Sequence, residues 1–238
     1  MLLLEQLRHE MEIGYKNGLY HLTQIKMAYN SNRIEGSRLT EEQTVLMYET
    51  KSILFNTGDS ILVNDIVETQ NHFILFNYML ETTEDKLSEA LIKEYHRILK
   101  SSTVDSQNSW FKVGEYKKVA NTVGLVDTAK PDEVQGRMKN LIDWYNSLKN
   151  VTIYDIIKFH YEFESIHPFQ DGNGRVGRII MFKECLKNGI MPFIIEDTNK
   201  AYYYRGLREY TKEPGYLIDT CLYEQDIYNE YYNKFIIA

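Results

Sequence analysis

The sequence predicts an all-α fold, a bundle of about eight helices with one short β-hairpin. Only four prolines and thirteen glycines occur among 238 residues, so few positions interrupt a helix. Apolar residues recur at helical spacing along most of the chain, and capping residues mark several helix starts. An apolar content of 43% is sufficient for one sizeable core.

The first half of the chain carries several helix boundary signals. The first helical segment is expected to break near Gly14 or Gly18, and Gly36 is a typical C-terminal cap. Thr40 and Gln43 lie three residues apart, which is the spacing of a capping box at the start of the next helix. Helices are predicted over residues 2–35, from residue 40, over 62–80 and over 89–100.

The second half begins with a change of pattern. Residues 114–127 place β-branched side chains between glycines, which favours a short hairpin. Pro131 fits the first turn of the next helix. Pro168 disfavours helical geometry at His167, so the preceding helix is expected to end there. Further helices are predicted over residues 131–148, 152–166, 175–187, 200–212 and 217–235.

Composition excludes several classes of protein. The net charge of -7 argues against non-specific nucleic-acid binding, which requires a basic face. Cys185 and Cys221 show no pairing pattern and are expected to be thiols in a reducing cytosol. The first twelve residues, MLLLEQLRHEME, lack the basic region and long apolar run of a signal peptide or a membrane span. We therefore expect a soluble, cytoplasmic protein.

The stretch IHPFQDGNGRVGR, residues 166–178, indicates an anion site. Arg175 and Arg178 lie at the start of a predicted helix, where a cation is disfavoured by about 0.3–1 kcal/mol. Gly172 and Gly174 can adopt left-handed backbone angles, which would turn successive amides into a concave nest that leads into the helix N-terminus. Because guanidinium groups bind phosphate oxygens bidentately, a polyphosphate would suit both arginines and amides.

Two further residues of this loop suit phosphate chemistry. Asp171 stands beside the nest, and a carboxylate next to phosphates is typical of a divalent metal site. His167, released from its helix by Pro168, could act as a general base because its ordinary pKa is about 6.5. Phe169 is the apolar residue expected to anchor the loop in the core. A simple helix connection, with both arginines paired to core carboxylates, is the alternative.

The loop resembles the signature of the Fic domain family, H-x-F-x-[DE]-G-N-G-R-x-x-R, without departure. The resemblance implies a Fic-like helical bundle with a β-hairpin flap. It also implies an adenylyltransferase that moves AMP from ATP to a Tyr, Ser or Thr hydroxyl of a target protein, and to itself. The implied regions are an N-terminal helical region (1–86), a catalytic core (87–216) and a C-terminal helix packed on the core (217–238).

The resemblance also implies roles for the loop residues. His167 would deprotonate the target hydroxyl. Asp171 would hold Mg²⁺, or Mn²⁺, bridging the α- and β-phosphates of ATP. Arg178 would bind the γ-phosphate. The other phosphates would be bound by the nest and the first arginine, that is by Gly172, Asn173, Gly174 and Arg175.

The hairpin sequence matches the family's flap, which docks a target segment by strand-like pairing. An ordinary surface hairpin is the alternative. The residues expected to dock the target are Val119, Ala120, Asn121, Thr122 and Val123.

The segment KAYYYRGL, residues 200–207, resembles the adenine-side helix of the family. Tyr203 and Tyr204 would then line the adenine pocket. Lys200 replaces the arginine of the family pattern, and Thr211 stands where some relatives carry an asparagine. Tyrosines at helical spacing are also typical of an ordinary core or surface helix, so that alternative stays open.

A second mismatched charge precedes the expected helix cap at Gly36. Glu35 is an anion at the negative end of a helix, and it lies four residues after Ser31, on the same face. A solvated surface glutamate is one interpretation, and a pair with Arg178 is another. The segment SNRIEG resembles the family's inhibitory motif, [ST]-x-x-x-E-[GN]. This resemblance implies autoinhibition, with Glu35 competing with the γ-phosphate for Arg178.

Several alternatives remain at this level. ATP bound in the opposite sense would make the protein a kinase, as in the Doc branch, although the intact GNGR argues against it. Glu35 could instead support removal of AMP, and UTP could replace ATP. A binding module that only senses a nucleotide would not need the pair of His167 and Asp171. The sequence identifies neither the target protein nor a homo-oligomer interface.

Overall fold

The structure, a computed structural model, describes residues 2–55, 60–123 and 126–236. Within these ranges it contains ten α-helices, and the predicted all-α class is confirmed. The nine helical segments predicted above become ten because the first predicted segment forms two helices. The helices are α1 (Leu3–Glu12), α2 (Leu19–Ile34), α3 (Glu41–Thr50), α4 (Val63–Glu81), α5 (Glu89–Lys100), α6 (Pro131–Ser147), α7 (Ile153–Ile166), α8 (Asn173–Lys187), α9 (Lys200–Glu209) and α10 (Gly215–Ile236).

Helix boundaries follow the local signals in the sequence. The Thr40 hydroxyl accepts a hydrogen bond from the Gln43 amide at 3.2 Å, and the Gln43 side chain accepts one from the Thr40 amide at 3.0 Å. This reciprocal capping box opens α3. Gly36 follows the end of α2, and its φ of 95° lies in the left-handed region that is typical of a residue that terminates a helix.

Helix α8 is the centre of the bundle. Every residue from Asn173 to Leu186 is buried, because α2, α4, α5 and α7 all pack against this helix. Phe182 of α8 contacts Phe76 of α4 and Tyr228 of α10, with ring centroids 5.6 Å apart in each pair. The N-terminus of the central helix is therefore surrounded by side chains from distant parts of the chain.

Helix α2 belongs to the same core. The Thr23 hydroxyl lies 2.8 Å from the hydroxyl of Tyr228, and the Gln24 amide donates to Asn77 at 2.5 Å. Most residues of α2 are buried against α4, α8 and α10. The N-terminal helices thus share a core with the rest of the described chain, and the boundaries expected near residues 87 and 217 stay predictions.

The hairpin is shorter than the sequence predicted. Strand β1 (Thr122–Val123) pairs antiparallel with β2 (Val126–Asp127), and residues 124 and 125 of the predicted hairpin lie outside the described residues. Val119 and Ala120 are exposed and precede the ladder. The Asn121 side chain donates to the carbonyls of residues 169 and 170, which holds the chain against the loop before α8 instead of extending the ladder.

Two further sequence expectations concern cysteines and membranes. Cys185 and Cys221 are buried free thiols. Over the described ranges, no helix combines the length and apolar content needed to cross a bilayer.

Candidate active site

The loop before α8 is a tight reversal between two left-handed residues. His167 has a φ of 51° and its amide donates to the Phe163 carbonyl at 2.9 Å, which ends α7 where Pro168 predicts. Gly172 has a φ of 82° and caps α8. A Cβ at Gly172 would lie 3.3 Å from Leu99 as well as being strained, so the position favours glycine.

Asn173 holds the loop from within. Its side-chain amide donates to the Phe169 carbonyl at 2.9 Å and its carbonyl accepts from the Phe169 amide at 2.8 Å. Phe169 is fully buried, as the sequence predicted for the loop anchor. The Asn173 side chain therefore positions the loop, and only its backbone amide is available to an anion.

Gly174 corrects one expectation of the sequence analysis. Its backbone is helical, because α8 begins at Asn173, and only Gly172 of the pair is left-handed. A Cβ at Gly174 would overlap the carboxylate of Glu35. Glycine is thus needed here for close approach of an anion. The amides of Asn173 and Gly174 find no acceptor among the described residues.

Arg178 is buried against the end of α2. Its Nη2 donates to Glu35 Oε1 at 2.7 Å and to the Ser31 carbonyl at 3.0 Å, and its Nε donates to the Ser31 hydroxyl at 3.0 Å. Burial opposes the charged form, yet the nearby Glu35 carboxylate raises the pKa of Arg178 above its ordinary value. The structure thus brings together the three residues that the sequence linked.

Arg175 is held by carboxylates on two sides. One nitrogen donates to Glu68 of α4, and Nη2 donates to Asp171 Oδ2 at 3.1 Å. Its Nε is buried without a partner among the described residues. Neither arginine lies free at the helix start, because each has an acidic partner. Glu68, which is buried on α4, was not identified from the sequence.

Lys100 is a second residue that the sequence analysis missed. Its side chain is 0% exposed, and Nζ contacts Glu68, Asp171 Oδ2 at 2.6 Å and Asp105 Oδ2 at 3.4 Å. Although burial opposes ionisation, the charges of Arg175 and Lys100 hold the pKa of Asp171 well below its usual range. Asp171 is therefore ionised throughout the physiological range.

His96 positions the loop from α5. Its Nδ1 accepts from the Gly114 amide at 2.9 Å, so its Nε2 carries the proton and donates to the Asp171 carbonyl at 3.1 Å. The ring stacks on Phe169 with centroids 3.9 Å apart. Burial lowers the pKa of His96 to about 3, so the ring is neutral. No local motif marks this role in the sequence.

His167 is a neutral imidazole at physiological pH. Burial and the charge of Lys117 lower its pKa to about 4. Lys117 is itself buried and donates to Asn121 at 2.7 Å and to Thr128 at 2.6 Å. A neutral imidazole can accept a proton, which is the state that a general base requires.

The two predicted adenine-side tyrosines lie in different surroundings. Tyr203 is buried, and its hydroxyl lies 2.7 Å from His160 Nε2 and 3.4 Å from Arg178 Nη1. Tyr204 is 40% exposed and its hydroxyl donates to the Ile34 carbonyl at 3.0 Å. Tyr203 therefore supports Arg178, and Tyr204 caps the C-terminal end of α2.

The residues around Asp171 fit a hard divalent cation. The ionised side chain is 47% exposed, although its Oδ2 contacts Lys100 and Arg175. Mg²⁺ usually takes one or two carboxylates together with phosphate oxygens and water. Glu68 and Asp105 also place a carboxylate oxygen within 4.8 Å of Asp171, with the Lys100 ammonium bound among all three. The donor set suits a metal that has a single protein carboxylate and phosphate ligands.

Comparison with solved structures supports the fold. A Fic domain containing signaling protein from Bacteroides thetaiotaomicron aligns with a TM-score of 0.73 at 24% identity, covering 96% of this chain and 93% of that one. The Fic-1 protein (residues 134–508) of C. elegans aligns with a TM-score of 0.71 at 21% identity, covering 97% of this chain and 71% of that one. The helical arrangement is thus that of proteins that carry a Fic domain.

Residues 86–185 match the Fic/DOC family. Among curated proteins, protein adenylyltransferase fic-1 of Caenorhabditis elegans is 28% identical over 184 residues, which cover 75% of this chain and 35% of that protein. The probable protein adenylyltransferase aq_aa38 of Aquifex aeolicus is 27% identical over 214 residues, covering 82% and 59%. The chain thus spans between a third and three-fifths of these curated relatives.

Proposed function

We propose that this protein is an autoinhibited protein adenylyltransferase that transfers AMP from ATP to a hydroxyl of a target protein, and to itself. The observation that carries the proposal is the neutral His167 imidazole in the loop that leads to the open amides of Asn173 and Gly174. An acceptor for a hydroxyl proton and donors for phosphate oxygens are thereby held in one rigid loop. The names of the curated relatives agree with this activity.

In the proposed reaction, His167 accepts the proton of the target hydroxyl. The hydroxyl oxygen then bonds to the α-phosphorus, and the bond from that phosphorus to the bridging oxygen breaks, so that pyrophosphate leaves. The amides of Asn173 and Gly174 and the Arg175 guanidinium bind the phosphate oxygens. Asp171 would hold Mg²⁺, which supplies positive charge that neutralises the phosphates.

Glu35 supplies the proposed inhibition. Its carboxylate contacts Arg178 and covers Gly174, so it occupies space where an anion would meet the start of α8. Two negative groups cannot share Arg178 without repulsion. The γ-phosphate therefore competes with Glu35, and ATP binds in a productive pose only when Glu35 moves aside.

The remaining roles follow the same proposal. The exposed Val119 and Ala120, together with Asn121, Thr122 and Val123, form the flap that docks a target segment. Tyr203 and Tyr204 line the adenine side. The protein acts in the cytoplasm, with Mg²⁺ or Mn²⁺, either alone or as a homo-oligomer.

Label transfer tests the proposal. Glu35→Gln and Glu35→Gly variants are incubated with lysate, Mg²⁺ and ATP labelled at either the α- or the γ-phosphate. We expect protein labelling from the α position alone, at a rate at least about tenfold above wild type, since loss of a charged competitor is worth 1.4 kcal/mol or more.

Two controls accompany this measurement. Adding His167→Ala to Glu35→Gln should abolish labelling, whereas Glu12→Gln, at an exposed position of α1, should leave labelling at the wild-type level. Label from the γ position alone would identify a kinase instead. Absence of label from every folded variant, with its own chain present as a substrate, would favour a nucleotide-sensing module.

A further inference from the structure

A buried ammonium group lies on the metal side of the loop. Lys100 ends α5, and its side chain has no solvent exposure. Its Nζ lies 2.6 Å from Asp171 Oδ2, the carboxylate expected to hold the metal. The proposed transfer reaction assigns no role to this lysine.

The surroundings of Lys100 are those of a bound cation. Glu68, Asp105 and Asp171 come from α4, from the segment after α5 and from the loop before α8. One oxygen of each lies within 4.8 Å of the others, and the Lys100 Nζ contacts all three. Both an ammonium group and a small metal ion bind carboxylate oxygens. The Lys100 ammonium therefore occupies a position where a free cation would otherwise bind.

The charges of the cluster explain what this position does. The three carboxylates face two cations, Lys100 and Arg175, which leaves one net negative charge. A free divalent ion at Asp171 would meet repulsion from both cations, which lie within 3.1 Å of Oδ2. A metal ion bound to a nucleotide arrives together with several negatively charged phosphates. These phosphates are attracted to Lys100 and Arg175, which repel the free metal ion.

We propose that Lys100 is a resident cation that excludes free divalent metal from Asp171, so that metal enters the site only together with a nucleotide. The inference rests on the proposed function for the role of Asp171. It assigns Lys100 a positioning role at the same site: the ammonium holds Oδ2 in the cluster and leaves the exposed side of the Asp171 carboxylate to the incoming complex.

Binding of Mn²⁺ alone tests this inference, because neither nucleotide nor target protein is present. Free Mn²⁺ is measured by electron paramagnetic resonance during titration of the full chain. We expect no Asp171-dependent binding by wild type at Kd values below about 1 mM. Lys100→Gln should bind Mn²⁺ at least about tenfold more tightly than wild type, and a further Asp171→Asn change should remove the gain.

Lys93→Gln is the matched control, since Lys93 lies on the same helix and pairs with Glu89 and Glu115 away from the cluster. It should leave Mn²⁺ binding unchanged. A folded Lys100→Gln variant whose Mn²⁺ affinity stays within about twofold of wild type would overturn the inference.

A comparison of wild type with Asp171→Asn also tests the inference if Lys100→Gln fails to fold. Tight Mn²⁺ binding by the wild type that is lost in Asp171→Asn would show that Lys100 does not exclude the metal. Both results are independent of label transfer. A failure of the proposed AMP transfer and a failure of this inference are therefore seen in different measurements.

Discussion

The Glu35 carboxylate lies 2.7 Å from the Arg178 guanidinium, across 143 positions of the chain. This contact joins the C-terminal end of α2 to the second turn of α8. Each charge faces the end of its own helix that disfavours it. The two charges neutralise each other at the place where the end of α2 meets the start of α8.

Ser31→Ala should weaken this contact without removing it. The Ser31 hydroxyl accepts from Arg178 Nε at 3.0 Å, while the Ser31 carbonyl still accepts from Nη2. A hydrogen bond to a charged group is worth about 1.5–3 kcal/mol, and only part of that loss releases Glu35. We expect α-label transfer to rise roughly two- to tenfold, less than in Glu35→Gln.

Ser165→Ala is the control for Ser31→Ala, because the Ser165 hydroxyl donates to the Tyr161 carbonyl within α7 and touches neither charge. Its label transfer should equal that of wild type. Equal rates for Ser31→Ala and wild type, with both proteins folded by circular dichroism, would contradict the role given to the hydroxyl.

The pH dependence of transfer should report His167. A general base must be neutral, and the pKa of His167 is lowered to about 4 by burial and by the charge of Lys117. Transfer by Glu35→Gln should therefore stay level from pH 8 to about 5.5 and fall only towards pH 4. The measurement is the initial rate of α-label transfer at each pH.

Lys117→Met should move that acid limb to higher pH, because removal of a nearby cation favours the imidazolium form. Lys118→Met, at the exposed neighbouring position, should leave the profile unchanged. A midpoint near 6.5 in the Glu35→Gln protein would show that His167 keeps its ordinary pKa.

Asn173→Ala should loosen the loop. The variant loses both hydrogen bonds to the Phe169 backbone and leaves the buried Phe169 amide without a partner, whereas the Phe169 carbonyl keeps the bond from Asn121. The unsatisfied amide costs about 1–3 kcal/mol, and the lost bond to the carbonyl costs about 0.5–1.5 kcal/mol more. We expect the free energy of unfolding, measured with urea, to fall by about 2–4 kcal/mol, and transfer by the Glu35→Gln protein to fall with it.

Asn188→Ala, at the other end of α8, provides the comparison. The Asn188 side chain makes one hydrogen bond, to the Glu184 carbonyl. Its loss should cost about 1 kcal/mol at most and leave transfer unchanged. Similar costs for the two substitutions would mean that Asn173 does not brace the loop.

Glu164 should make stability depend on pH. Burial raises its pKa to about 8 from 4.5, and its Oε1 is buried without a partner among the described residues. Between pH 4.5 and 8 the folded state keeps a proton that the unfolded state has lost, so stability falls as pH rises through this window. Glu164→Gln cannot ionise and escapes this loss.

Urea unfolding at pH 5 and pH 8 measures the effect. The gain in unfolding free energy of Glu164→Gln over wild type should grow by at least about 1 kcal/mol between these values, given 1.4 kcal/mol per pKa unit. Glu162→Gln, on the same helix, should show no such growth. A gain that is equal at both pH values would refute the buried neutral carboxyl.

The sequence predicted the helix boundaries that depend on residues only a few positions away. Pro168 ends α7, Thr40 opens α3, and the left-handed Gly172 begins the turn into α8, each because backbone geometry depends on near neighbours. The all-α class could be predicted for the same reason, because helix formation depends on neighbouring residues. The pair of Glu35 and Arg178 could be expected because each charge was unfavourable where it stood.

The site residues that the sequence did not predict depend on packing between distant segments of the chain. Glu68, Lys100 and His96 lie on α4 and α5, more than seventy residues before the loop residues that they bind. A charged side chain on a predicted helix is expected to be exposed to solvent unless its partner is known. Gly174 was misjudged for a related reason: its need for glycine comes from the Glu35 carboxylate over it, and not from its own backbone angles.

The placement of α2 in the core determines how the proposed inhibition depends on protein concentration. Because Glu35 and Arg178 belong to one chain, their encounter has an effective concentration set by geometry, and dilution or overexpression leaves it unchanged. Thr23 and Gln24 tie α2 to its neighbours, so the helix does not have to leave for Arg178 to be reached. Under the proposed autoinhibition, rotation of the partly exposed Glu35 side chain would free Arg178, so the inhibition would respond to the nucleotide concentration and not to the protein concentration.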